Sequence, residues 1–141
     1  MREPTVRPRP RPGIFPSVMD ARSIALDESH GDILIVLVSG EQDIYTAPAL
    51  RERLEQALGA TRGVVVDLSA TTFLDSSILG ALLEARRAAQ ERSLGFVVSL
   101  GDEPEPGVER ILEITGLVPV FPVVGGREQA LETARSTTAG A

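Results

Sequence analysis

The sequence predicts an α/β fold, a mixed β-sheet of about five strands with about four helices packed on it. Two observations predict it. Short runs rich in β-branched residues alternate along the chain with segments whose apolar residues recur at helical spacing. The first two strand patterns are separated only by turn residues, so they form a hairpin, whereas the later strands are each reached through a helix.

The elements follow in order. Ser23 to Glu28 alternates apolar and polar residues and reads as a strand. Ser29-His30-Gly31-Asp32 is turn chemistry, and Ile33 to Val38 is a continuous apolar run suited to a buried strand. Ser39 to Asp43 reads as a loop. Ala49, Leu50, Leu54, Ala57 and Leu58 then recur at helical spacing, with Thr46 as the candidate cap and Pro48 in the first turn. Val64 to Leu68 is the next strand. After a polar loop, Ser77 to Arg92 is helical, with Leu79, Leu82, Leu83 and Ala89 among its inward positions. Gly95 to Leu100 is a strand and Gly101 to Gly107 an acidic loop. Val108, Ile111, Leu112 and Ile114 define a short helix ending at Gly116. Val118 to Val123 is a last strand, placed at a sheet edge by Pro119 and Pro122. Glu128 to Ser136 closes the chain as a helix, and residues 137–141 form a frayed tail.

Composition narrows the chemistry. The 141 residues suit one domain plus a tail. Cysteine is absent, which excludes disulfides, zinc-thiolate sites and cysteine nucleophiles. All 14 basic residues are arginine, which excludes a Walker-type phosphate loop and Schiff-base chemistry. The longest apolar run, Ile33 to Val38, falls far short of the ~20 residues of a membrane span. No apolar core follows the N-terminal arginines, so no secretory signal is read, and the expected location is the cytoplasm.

Residues 1–22 differ from the body, 23–136. They hold five of the ten prolines, and Arg7-Pro8-Arg9-Pro10-Arg11-Pro12 can form neither helix nor sheet. A disordered, extended arm is expected. Five arginines against two acids give it about +3, which leaves −9 for the rest of a chain whose net charge is −6. Such an arm folds back on the acidic body, binds an acidic partner, or is simply solvated. Direct nucleic-acid binding is not expected, because the body is acidic.

The most informative run is Val64-Val65-Val66-Asp67-Leu68-Ser69, then Phe73-Leu74-Asp75-Ser76-Ser77-Ile78-Leu79-Gly80. A strand leads through a short loop into an Asp-Ser-Ser step where a helical pattern begins. That puts the small hydroxyl of Ser76 on an exposed first turn, where unpaired N–H groups and the helix dipole tolerate a phosphate. Such a serine is either a switch or only part of a helix start, where serine commonly caps the backbone.

These residues resemble the STAS domain family, named for sulfate transporters and anti-sigma factor antagonists. Four matches carry the resemblance over about residues 22 to 135: Ser39-Gly40-Glu41-Gln42-Asp43 with Tyr45-Thr46-Ala47-Pro48; Val64 to Ser69; Phe73-Leu74-Asp75-Ser76-Ser77 with Leu79-Gly80; and Ile114-Thr115-Gly116-Leu117 followed by Val120-Phe121. The resemblance implies a STAS fold with a mainly parallel sheet. It also implies a non-enzymatic anti-sigma factor antagonist of the kind found in stress response and sporulation, which regulates transcription by partner switching. The implied partner is an anti-sigma factor that is also a serine kinase of the GHKL ATPase type. It is bound in the unphosphorylated state and lost on phosphorylation of Ser76, the serine after Asp75. A PP2C-type phosphatase reverses the step. The implied docking surface comprises Asp43, Tyr45, Thr46, Asp75, Ser77 and Ile78. The family has glycine where this chain has Ile78, which narrows access for a partner or adds an apolar contact. The alternative is a STAS scaffold or sensory module that binds a protein or small ligand constitutively. A weak homodimer is left open.

Other residues point to less. His30 is the only histidine and sits in a turn. Asp43, Asp67 and Asp75 fall near strand ends, where open sheets place ligands, but a metal site needs all three to converge. Asp102, Glu103 and Glu105 read as a solvated acidic loop. Gly125-Gly126 makes a turn before the last helix, with no further sign of a phosphate cradle. No metal or cofactor is expected. A hydrolase or nucleotide-using enzyme is disfavoured by the missing lysine, cysteine and motif histidine.

Overall fold

Apolar residues that alternate along each central strand must be buried on both faces of a sheet, and the chain does this by placing helices on each side. The computed structural model describes residues 23–116 and 123–136. In chain order its elements are β1 (Ser23–His30), β2 (Ile33–Gln42), α1 (Ala47–Ala60), β3 (Gly63–Leu74), α2 (Ser76–Glu91), β4 (Gly95–Ser99), α3 (Pro106–Ile114), β5 (Val123–Val124) and α4 (Arg127–Ser136). The sheet order is β1-β2-β3-β4-β5. β1 pairs antiparallel with β2, and every other pairing is parallel. The expected mixed, mainly parallel sheet with four helices is therefore present.

The two faces are unequal. Leu34, Val36, Val38, Val64, Val66, Phe96 and Val98 point toward a large core that α1, α2 and α3 complete with Leu50, Leu54, Ile78, Leu82, Val108 and Leu112. The intervening residues Ile33, Ile35, Val65 and Val97 face the other way, in a smaller cluster with Ala130, Leu131 and Ala134 of α4. The period-2 alternation of the strands makes this division.

Two strands are longer than the sequence predicts. β2 continues through the expected loop to Gln42, and β3 through the expected polar loop to Leu74. Each extension pairs with the other: Ser39 lies opposite Ala70, Glu41 opposite Phe73 and Gln42 opposite Leu74. The register shifts at Gly40, whose φ of 77° favours glycine. The Thr71 hydroxyl donates to the Val38 carbonyl at 3.0 Å and ties the two extensions together. Polar residues hid this pairing, because it is held by backbone and hydroxyl bonds rather than by an apolar pattern.

Other boundaries agree to within one or two residues, the usual uncertainty of helix ends. One inward assignment is corrected: Leu83 is 37% exposed on the solvent side of α2, because the buried stripe runs through Ile78, Leu79, Ala81, Leu82, Ala85 and Ala89 instead. The predicted strand 118–123 is described only at its end, where Val123 and Val124 pair with Val98 and Ser99. Its residues 118–122, the arm 1–22 and the tail 137–141 lie outside the described residues.

Candidate functional site

The extended pairing of β2 with β3 creates the site. Gln42 pairs with Leu74, so Asp43 and Asp75 leave neighbouring strands side by side, with strands ~4.8 Å apart. Each chain then turns into a helix, α1 from the first and α2 from the second.

At α2 the start is made by Asp75. Its backbone is extended and its carboxylate accepts from the N–H groups of Ser77 at 3.0 Å and Ile78 at 3.4 Å. Two of the helix's unpaired donors are thereby satisfied. Ser76, the first helical residue, is exposed, and its hydroxyl makes no hydrogen bond to the described residues. Its side chain is not needed to cap the helix, because Asp75 does that.

At α1 the start is made differently. Thr46 occupies the cap position, as expected, but its side chain does not cap the helix. Its hydroxyl accepts from the Asp43 N–H at 2.9 Å and donates to the Asp43 carbonyl at 3.1 Å. The Asp43 carboxylate accepts from the Tyr45 N–H at 3.0 Å, and the Asp43 carbonyl also accepts from the N–H groups of Thr46 and Ala47. These local bonds thrust Ile44 and Tyr45 outward, 63% and 84% exposed.

Those two and Phe73, which is 51% exposed at the end of β3, are three of the five large hydrophobic residues exposed among the described residues. Apolar exposure concentrated on two adjacent segments marks a contact surface. Ile44 was not legible as a site residue, and Phe73 was legible only as part of the strand-to-helix motif. The exposure of Phe73 follows from the unrecognised extension of β3.

Ile78 requires a correction. It is fully buried in the main core, so it neither narrows access at the surface nor offers an apolar contact to a partner. As the third residue of α2 its side chain points beneath the cap, where burial contributes about 1.5–3 kcal/mol.

The remaining carboxylates do not gather. The Asp67 carboxylate accepts from the Ser69 N–H at 2.9 Å and pairs with Arg127 of α4 at 3.1 Å. No group of three or more His, Cys, Asp or Glu suited to a metal occurs among the described residues. His30 pairs with Asp27 at 3.3 Å within the β1–β2 turn. Asp102, Glu103 and Glu105 lie in the loop before α3; Asp102 and Glu103 and the side of Glu105 face solvent. No helix of the described residues is long and apolar enough to cross a membrane.

The STAS domain matches residues 25–130 of this chain. The chain belongs to the STAS domain family. Among relatives, it is 33% identical over 104 residues to the anti-sigma-B factor antagonist of Listeria monocytogenes, covering 72% of this chain and 87% of that protein. It is 29% identical over 106 residues to the anti-sigma F factor antagonist of Paenibacillus polymyxa, covering 74% and 88%. The crystal structure of an anti-sigma factor antagonist from Mycobacterium paratuberculosis superposes with a TM-score of 0.69 at 30% identity, covering 83% of this chain and 97% of that one. The extended β2–β3 pairing brings together the loop Asp43–Thr46 and the Asp75-Ser76-Ser77 step, two of the segments on which the sequence resemblance rests.

Proposed function

We propose that this chain is a cytoplasmic anti-sigma factor antagonist without catalytic activity, switched by phosphorylation of Ser76. Unphosphorylated, it binds an anti-sigma factor that is also a serine kinase of the GHKL ATPase type, through Asp43, Tyr45, Thr46, Asp75 and Ser77. Phosphorylation of Ser76 releases it, and a PP2C-type phosphatase restores binding. The observation that carries this reading is the free, exposed Ser76 hydroxyl at a helix start already capped by Asp75, beside an outward-facing apolar loop.

The physics favours a switch that spares the fold. A phosphoserine adds a charge of about −1.5 to −2 at neutral pH. At the first turn of the 16-residue α2, the dipole favours an anion by about 0.3–1 kcal/mol. The Asp75 carboxylate opposes this, but its charge is already spread over two backbone N–H groups. In a packed interface the phosphate must instead be desolvated beside that carboxylate, which costs several kcal/mol. Each ~1.4 kcal/mol is tenfold in affinity.

The test is intact-mass analysis after incubation with ATP and the anti-sigma kinase of the same cell. A gain of one phosphate, about 80 Da, that is absent in Ser76→Ala and accompanied by loss of kinase binding supports the switch. Ser76→Asp should weaken kinase binding about 100-fold or more without lowering the thermal midpoint. Binding with no added mass would instead favour a constitutive module.

A further inference from the structure

A cavity of about 440 Å³ opens between the start of β1, the end of β2 and the first turns of α1. Ile24, Tyr45 and Ala49 give it apolar walls, and Ser23, Thr46 and the oppositely charged Glu52 and Arg53 stand on its lining. The size falls among sites that bury a ligand. Gln42 also lines it, and that side chain is fully buried. The Gln42 Nε2 donates to the Ser39 carbonyl at 2.8 Å, while Oε1 finds no donor. A buried acceptor left unpaired is costly, and a strand that carries it is poised for a ligand that donates.

The nearest candidate ligand is covalently attached. Ser23 lines the cavity, so the preceding chain begins at its rim. Residues 13–22 include the large apolar side chains of Ile14, Phe15, Val18 and Met19, which match the apolar walls. An extended chain spans about 3.3 Å per residue, so Met19 and Val18 can reach about 13 and 17 Å from Ser23, enough to cross the cavity. Methionine adapts to irregular gaps. Tethering at the rim holds the segment at about millimolar effective concentration, so weak contacts suffice for occupancy.

We infer that residues 13–22 dock into this cavity, with Val18 and Met19 against Ile24, Tyr45 and Ala49 and an N–H of the segment donating to Gln42 Oε1. The docked segment covers Tyr45 and competes with a protein partner for the Asp43–Thr46 loop. The competition rests on the function proposed above; the occupancy does not.

The chain contributes its own probe, because Tyr45 is its one tyrosine and it has no tryptophan. Tyrosine fluorescence of the full chain is quenched with acrylamide, in wild type and in the double variant Val18→Ser with Met19→Ser. Both substitutions lie outside the described residues, and matching circular dichroism spectra of variant and wild type check that the fold is retained. If the segment is docked in about nine of ten molecules, the quenching slope rises several-fold in the variant and its affinity for the anti-sigma kinase rises about tenfold. Equal slopes, with wild-type Tyr45 as open to quencher as free tyrosine, would overturn the docking. A raised slope with unchanged kinase affinity would overturn the competition alone. A kinase that binds neither protein counts against the proposed function, and the slopes still decide the occupancy.

Discussion

The two helix starts that border the site solve the same problem in opposite ways. α2 is capped by a side chain: Asp75 reaches forward to two N–H groups, and the third helical residue, Ile78, is buried beneath them. α1 has no side-chain cap; Thr46 turns back to Asp43, and the third helical residue, Ala49, is exposed. The difference separates rigidity from adaptability. Around Ser76 the backbone is fixed from below and by the cap, so a charge can be added to the hydroxyl without changing the helix. The Asp43–Thr46 loop is shaped by local bonds among its own residues and presents Ile44 and Tyr45 outward, as a recognition surface does.

The contrast can be broken most severely at its buried residue. Ile78→Gly should cost about 3–6 kcal/mol in chemical denaturation, from the cavity and the added glycine. The corresponding Ala49→Gly in α1 should cost only about 1 kcal/mol. Similar losses at both would mean that the two starts do not differ in anchoring.

Removing the polar devices gives a smaller test. Asp75→Ala should destabilise by about 1–2 kcal/mol through loss of the cap. Thr46→Ala should cost about 1 kcal/mol or less, because its bonds are neutral and within the loop. A reversal of that order in thermal melts would show that the α1 loop, not the α2 cap, is the rigid element.

In the variant Val18→Ser with Met19→Ser, where the segment no longer supplies a donor to Oε1, Gln42→Leu should raise stability by about 1 kcal/mol. It removes a buried acceptor without a donor, worth about 1–3 kcal/mol, at the loss of one bond to Ser39. A decrease would mean that Oε1 is satisfied in solution.

The smallest effect lies at the opposite end of the sheet. Hydrogen bonds from the Ser29 hydroxyl and N–H, and then the nearby His30, hold the Asp27 carboxyl below its ordinary value. A lowered folded-state value means that this stabilisation is complete above the ordinary carboxylate range and is lost as pH falls through the folded value. Asp27→Asn should therefore flatten the acid limb of the stability profile slightly. An unchanged limb would dismiss the contribution of this turn.

The sequence by itself determined the order of strands and helices, the hairpin, and the start of a helix at the Asp75-Ser76-Ser77 step. Each is written in local chemistry: β-branched runs, helical spacing and turn residues; that Asp75 rather than a serine caps α2 came from the structure. Two-faced burial was also legible, since Ile33 to Val38 is apolar at every position. Only the tertiary structure decided that Ser39–Gln42 and Ser69–Leu74 are paired strand rather than loop. Ser39–Gln42 and Ser69–Thr72 carry no apolar pattern, and their pairing comes from backbone bonds between segments far apart in the chain. The same long-range pairing brings Asp43 beside Asp75 and turns Phe73 outward. Tertiary packing also reversed the expected place of Ile78 by closing a core beneath α2. Local sequence fixes which residues begin a helix; which of their side chains meet solvent depends on what the rest of the chain lays against them.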